Sequence, residues 1–121
     1  MLSFVPEKKA VPMMNKALSA LGLAMRAGKL NWGYDTAVGA MKSGVCRLAL
    51  LGADLSDKTK KNVRFEANKY SVDCIETEFT MTDISTAIGK KTGVLAICDE
   101  GFAKKLRQEL GAAEEREELR I

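Results

Sequence analysis

Two uninterrupted apolar runs, Leu48–Leu51 and Val94–Cys98, restrict what this chain can fold into more than any other feature. A strand with one wet face alternates polar and apolar residues, so a continuous run bounded by Arg47 and Gly52, or by Gly93 and Asp99, reads as a strand covered on both faces. Val94–Cys98 is the better candidate for the centre of a sheet. Segments of helical period lie between and around these runs. From Met14, the residues Ala17, Leu18, Leu21, Ala24 and Met25 recur at helical spacing, with Pro12 suited to a first turn and Gly28 to a stop. A second helix spans Asp35–Ser43, with Asp35 as N-cap, Ala37, Ala40 and Met41 facing inward, and Gly44 as its end. Ser56 caps a third helix running to about Tyr70, with Val63, Ala67 and Tyr70 as its core stripe. Thr82 caps a short helix, Asp83–Ile88, closed by Gly89. Asp99 caps the last, which carries Phe102, Leu106 and Leu110 inward and ends or kinks at Gly111. Short extended pieces at Lys29–Trp32, an edge strand, and Val72–Glu76 complete the alternation. Helices and strands in turn predict a small sheet covered on both faces, an α/β fold of the three-layer α/β/α sandwich type.

The length of 121 residues suits one core. The expected organisation is a flexible lead-in over residues 1–12, a single domain over 13–111 and a charged tail over 112–121. Net charge is +3, but the tail holds four Glu and two Arg, so its −2 leaves +5 on residues 1–111. That balance fits attraction to a polyanion. Cys46, Cys74 and Cys98 are far apart, odd in number and set among apolar residues, as expected of buried free thiols in a reducing compartment. No apolar run approaches the roughly 20 residues that span a bilayer, and no secretory leader is evident, so the expected location is the cytoplasm.

Enzymatic chemistry has little to work with. Histidine is absent, which removes the usual general base and the commonest metal ligand. Walker, dinucleotide-binding and nucleophile-elbow motifs are also missing. Paired acids such as Asp35 and Asp54 could be neighbours across the sheet end, but each is more simply explained as a cap or turn residue. The chain is therefore expected to be no enzyme and to hold no metal or cofactor.

Binding features concentrate at two turns. Gly33 follows the first extended piece and opens a helix, and amide N–H groups at such a terminus favour an anion. Trp32, the only tryptophan, precedes that glycine and reads as a hydrophobic clamp or as a stacking surface for a base. The second turn, Lys90-Lys91-Thr92-Gly93, leads into the second apolar run and brings two ammonium groups. In this architecture two such turns can lie at the same sheet edge. Lys58, Lys60, Lys61, Arg64 and Lys69 crowd the third helix, where a solvated face is the simpler reading than a phosphate patch. Gly39, inside a helix, needs a reason in close packing or in a surface kept low.

Several blocks of sequence, taken together, resemble the L7Ae/L30e/S12e/Gadd45 family of ribosomal-type RNA-binding proteins, most of all its small bacterial members. They are Gly22-Leu23-Ala24-Met25-Arg26-Ala27-Gly28-Lys29 with Gly33, Cys46 through Asp54, Ser56 through Lys61, Ala87-Ile88-Gly89-Lys90, and Asp99 through Leu106. The resemblance covers about Met14 to Leu110 and implies a four-stranded mixed sheet. It also implies binding of kink-turn RNA, a bent helix with sheared G·A pairs, between the Gly33 turn and the loop before the last strand. There the glycine lets backbone approach phosphates, and the polar residues after it meet guanine edges. The family's strong form runs Gly-x-Asn-Glu-x-x-Lys, whereas this chain reads Gly33-Tyr34-Asp35-Thr36-Ala37-Val38-Gly39. Asp35 stands for the Asn, Thr36 for the Glu and Gly39 for the Lys, which leaves Lys29 or Lys42 to supply the missing phosphate partner. The expected site is Lys29, Gly33, Tyr34, Asp35, Thr36, Lys42, Lys90, Lys91 and Thr92. Its partners are a structured RNA, ribosomal or kink-turn, and the ribosome. Two alternatives remain open: a protein–protein adaptor that keeps the fold without the RNA contacts, and a small-molecule-binding domain with an enclosed pocket at the Gly33 edge.

Overall fold

Both apolar runs are inner strands. β1 (Leu30–Trp32), β2 (Leu48–Leu51), β3 (Cys74–Glu76) and β4 (Val94–Ile97) form one sheet in the order β1-β4-β2-β3. Every residue of β2 and β4 is buried. They pair antiparallel from Leu48↔Ile97 to Leu51↔Val94, β1 pairs antiparallel with the other side of β4, and β3 lies parallel to β2. Three strands thus run one way and β4 runs against them, the mixed four-stranded sheet expected. The computed structural model describes the backbone of residues 15–119 and the side chains of residues 15–111. The lead-in 1–12 with Pro12, Met14 and the tail side chains lie outside the described residues, and the first helix is described from its N-cap, Asn15, onward.

Five helices cover the sheet among the described residues: α1 (Lys16–Arg26), α2 (Tyr34–Ser43), α3 (Asp57–Lys69), α4 (Met81–Ile88) and α5 (Glu100–Leu119). On one face Ala17, Leu18, Leu21 and Ala24 of α1, Ile84 and Ile88 of α4, and Ala103 and Leu106 of α5 pack on Leu30, Leu48, Leu50, Leu95 and Ile97. On the other, Ala37, Ala40 and Met41 of α2 and Val63 and Ala67 of α3 pack on Ala49, Leu51, Val94 and Ala96. Alternate residues of β2 and β4 therefore feed opposite cores, which is why neither run has room for a polar residue.

Helix boundaries follow local chemistry, with three departures from expectation. The short helix starts at Met81, capped by Thr80 rather than Thr82. The Thr80 hydroxyl accepts from the Asp83 N–H at 3.1 Å, and the Asp83 carboxylate accepts from the Thr80 N–H at 3.0 Å. This reciprocal box satisfies two otherwise unpaired donors, which a start at Thr82 would not. The N-cap of α2 is Gly33, so Asp35 lies in the first turn instead of capping it. Gly111 neither ends nor breaks α5, whose backbone continues to Leu119. Elsewhere the caps are as expected: Ser56 accepts from the Thr59 N–H at 3.1 Å and Asp99 from the Phe102 N–H at 2.9 Å.

Two helical glycines have opposite roles. A Cβ on Gly22 would stand 3.0 Å from the Ala87 carbonyl oxygen, so this glycine lets α1 and α4 approach closely. A Cβ on Gly39 would meet nothing within 4 Å, and the position is exposed, so close packing on the sheet is not the reason for that glycine. Gly22→Ala is expected to destabilise by about 1–3 kcal/mol through overpacking against backbone, whereas Gly39→Ala is expected to stabilise by about 1 kcal/mol through helix propensity. Urea midpoints of the two variants, moving in opposite directions from the wild-type value, check both.

Candidate nucleic-acid interface

Because β4 opposes its three neighbours, the carboxyl ends of β1, β2 and β3 and the entrance to β4 meet at one edge. Backbone hydrogen bonds tie that rim together. The Gly33 N–H donates to the Val94 carbonyl at 2.9 Å, the Gly52 N–H to the Gly93 carbonyl at 2.7 Å, and the Ala53 N–H to the Phe79 carbonyl at 2.7 Å. Gly52 and Gly93 make this closeness possible: a Cβ on Gly52 would lie 3.3 Å from the Gly93 Cα, and one on Gly93 would lie 2.6 Å from the Leu55 side chain. The starts of α2, α3 and α4 stand on this rim, each following a strand that ends there.

Only one of those helices starts without a side-chain cap. Gly33 has φ +96° and ψ 151°, a conformation that side chains resist, and it offers no group to bond the first turn. The Tyr34, Asp35 and Thr36 amides have no carbonyl within their own helix to bond. Asn15, Ser56, Thr80 and Asp99 fill this role for the other helices among the described residues. Tyr34, Asp35 and Thr36 are exposed on that turn. The Asp35 carboxylate sits in the favourable field of the helix start and accepts hydrogen bonds without donating any.

The loop before β4 reaches the same place. Lys90 and Lys91 are exposed, and the Lys90 ammonium lies 5.3 Å from the centre of the Trp32 ring, a cation–π contact that joins the two turns. Trp32 itself is half-buried and packs on the α1/α4/α5 core, so it acts as the clamp between elements with one face turned to the rim. Asn31, Trp32 and Thr36 line an open depression of about 300 Å³. Thr92 differs from its neighbours: it is buried, and its hydroxyl accepts from the Val94 N–H at 3.2 Å and donates to the Val94 carbonyl at 3.3 Å. It shapes the loop and presents nothing outward. Asp54 is likewise a turn residue, accepting from the Met81 N–H at 3.0 Å.

Of the residues expected at the site, Gly33, Tyr34, Asp35, Thr36, Lys90, Lys91 and Thr92 come together at the rim. Lys29 and Lys42 do not. The Lys29 carbonyl accepts from the Cys98 N–H at the far end of β1, and Lys42 lies in the last turn of α2, so both belong to the opposite edge of the sheet. Residue spacing alone hides this, because a strand and a helix each carry the chain about 12 Å away from the glycine turn. Trp32 and Asn31, which line the depression, join the site. An aromatic residue directly before the glycine was the available signal for Trp32, and Asn31 had none. No group of three or more Cys, Asp or Glu side chains suited to a metal occurs among the described residues, and none of their helices is long and apolar enough to cross a membrane.

The fold is a three-layer α/β sandwich whose one rim carries an uncapped helix start and a lysine pair, the first of the two stacked on Trp32. The chain belongs to the ribosomal protein L7Ae/L30e/S12e/Gadd45 family, whose profile matches residues 15–107. It is 38% identical over 93 residues to the RNA-binding protein YlxQ of Enterococcus faecium, covering 77% of this chain and 89% of that one. The RNA-binding protein YlxQ of Bacillus subtilis is 37% identical over 71% of this chain and 86% of its own length. A ribosomal relative, the large ribosomal subunit protein eL30B of Schizosaccharomyces pombe, is 31% identical over 69% and 73% of the two chains. Among solved structures, one described as a protein with unknown function from Bacillus halodurans C superposes with a TM-score of 0.72 at 33% identity, covering 76% of this chain and 93% of that one. The match to a ribosomal-protein family agrees with the expectation of a non-enzymatic chain.

The cysteines stand outside the rim chemistry. Cys46 is buried, while Cys74 and Cys98 are half-buried rather than fully enclosed, and all three are free. Burial pushes the Cys46 thiol from its ordinary 9.0 up to about 11, against a smaller opposing effect from its hydrogen bond to the Leu48 carbonyl. Between those two values the native state holds a proton that the unfolded chain gives up, so this contribution to stability is complete below pH 9 and is lost as pH rises through 11. In the native protein at pH 8, a thiol reagent is expected to label Cys74 and Cys98 well before Cys46. Peptide mapping after timed alkylation checks the order, and denaturant should abolish it.

Proposed function

We propose that this protein is a non-enzymatic RNA-binding module of the L7Ae type, acting in the cytoplasm in association with the ribosome. In this reading it recognises a structured, kink-turn-like RNA by shape and phosphate contacts. The domain responsible is residues 13–111, with the tail 112–121 outside it. One observation carries the reading: the uncapped α2 start and the Lys90–Lys91 loop share a rim, linked by the Lys90–Trp32 stack at 5.3 Å. The names of the relatives, RNA-binding proteins and ribosomal proteins, point the same way.

In the proposed complex the Tyr34, Asp35 and Thr36 amides donate to a phosphate, which needs no side chain at Gly33 and gains from the helix dipole. Lys90 and Lys91 neutralise neighbouring phosphates and add the salt-dependent part of the affinity. Asp35 accepts from base N–H groups, a role that guanine satisfies through its amino group. Thr36, with a hydroxyl that both donates and accepts, meets the adjoining base edge. Lys90 leaves the Trp32 ring for the phosphates, and the ring face it vacates borders the depression. Lys29 and Lys42, on the far edge, take no part in this contact.

Titration of a kink-turn RNA against a straight duplex of equal length, at two salt concentrations, tests the reading. The bent RNA is expected to bind more tightly, and Lys90→Ala with Lys91→Ala is expected to flatten the salt slope by about one for each lysine. Emission from Trp32, the single tryptophan, is expected to change on saturation with the bent RNA. Equal affinity for both RNAs would leave only nonspecific charge attraction. The departures at Asp35, Thr36 and Gly39 favour a second reading, an adaptor between proteins. Purification of the native protein with a stable protein partner and no nucleic acid would replace the first reading with that one.

A further inference from the structure

We infer that the outer face of α3 is a second RNA contact, which carries a single-stranded extension of the RNA held at the rim and stacks one of its bases on Phe65. This rests on the RNA-binding reading above and concerns a surface that the rim does not include. Phe65 is 65% exposed, the most open large apolar side chain among the described residues. Lys58, Lys61, Phe65 and Lys69 are all exposed and recur at helical spacing along that face.

The five basic residues of this helix do not behave alike, so the face is not a uniformly solvated one. Lys60 donates to the Ala53 carbonyl at 3.0 Å and approaches Glu76 at 4.0 Å, and Arg64 pairs with Glu76 at 3.4 Å. Those two are tied down toward the sheet edge. Lys58 and Lys61 have no carboxylate partner among the described residues, and Lys69 lies 5.4 Å from the Tyr70 ring centre. The helix's own acids form no ion pair with these lysines among the described residues: Asp57 is exposed one turn before Lys61, and Glu66 is half-buried three residues before Lys69. What remains is a cationic strip about 17 Å long with an aromatic ring between its charges. Charge complementarity selects a polyanion, and the exposed ring selects one with unpaired bases, because every base offers a face for stacking whereas a duplex hides it.

The strip also begins at the rim. Leu55, just before α3, packs against Gly93, and Gly93 follows the Lys90–Lys91 loop directly in the chain. Lys58 lies in the first turn of α3, at the end of the helix that stands on the rim, and Lys61, Phe65 and Lys69 lead away from it, with the exposed Asp54 and Asp57 beside that first turn. A strand leaving the rim-bound RNA on this side meets a lysine, a lysine, a ring and a lysine in succession.

The test uses the full chain and three fluorescein-labelled probes: a bent kink-turn RNA, the same RNA with an eight-uridine tail at each end, and the octauridine alone. In anisotropy titrations the tails are expected to strengthen wild-type binding about ten-fold, and Phe65→Ala to remove that gain while leaving the untailed RNA unaffected. Lys58→Gln, Lys61→Gln and Lys69→Gln together are expected to lower the salt slope for the tailed RNA by about two. Unchanged circular-dichroism melting of these surface variants confirms folding. No gain from the tails, or a gain that survives Phe65→Ala, overturns the inference. So does wild-type self-association in sedimentation that Phe65→Ala abolishes, which would make the face a protein contact. Failure of the rim reading is distinguishable: bent and straight RNA would then bind alike with no effect of Lys90→Ala and Lys91→Ala, while octauridine binding would still fall on Phe65→Ala.

Discussion

The antiparallel seat of β4 between β1 and β2 is the constraint from which the rest of the architecture follows. A parallel β4 would send its leading loop to the other edge of the sheet, away from Gly33. Run antiparallel, it delivers Lys90 and Lys91 to the edge where β1, β2 and β3 finish and their helices begin. The pairing is held by residues buried on both sides of the sheet, Leu48 through Leu51 against Val94 through Ile97. Two glycines, Gly52 and Gly93, let the strand ends close to hydrogen-bonding distance at the rim. The geometry of the candidate site is thus a property of the core rather than of the loops that display it.

Given that frame, the local chemistry of the rim comes from what is left unpaired. Four described helices satisfy their first turns with Asn, Ser, Thr or Asp, and α2 begins instead at a glycine that has nothing to offer. Unbonded amides at a helix start and ammonium groups on the facing loop attract the same kind of ligand, and the Trp32 ring joins them physically. Asp35 runs against that trend, since its carboxylate repels phosphate. Its presence weakens phosphate attraction at this turn and adds a hydrogen-bond acceptor.

The basic residues divide by what surrounds them rather than by how they are spaced. Lys90 stacks on an aromatic ring, Lys60 and Arg64 are held by Glu76 and a carbonyl, and Arg107 links Asp73, Glu100 and the Arg47 carbonyl. Lys58 and Lys61 are left without such ties and flank Phe65. A count of positive charges treats all of these alike. Their available surface and their partners separate the structural ones from those that face outward.

The order of elements was legible in the chain itself, because apolar runs, helical stripes and glycine stops report local preferences that tertiary contacts here reinforce. Ser56, Asp99, Gly28, Gly44 and Gly89 do in the fold what their residue types suggest in isolation. The start of the short helix was misread at Thr82 because Thr80 and Asp83 form a reciprocal pair, and a competition between neighbouring threonines is settled by geometry. Gly33, Asp35 and the lysine loop were recognisable as a candidate site from the glycine turn and the family-like blocks. Lys29 and Lys42 could not be sorted from Lys90 and Lys91 without knowing which edge each strand end occupies. Sequence alone pointed to two doubly covered strands at the heart of an α/β sandwich, since short apolar runs, each with a glycine at one end and set between helical stripes, are buried most simply that way. Only the tertiary structure decided that β4 runs backwards, that Thr92 turns inward and that Phe65 stays out, because these depend on pairings between residues far apart in the chain.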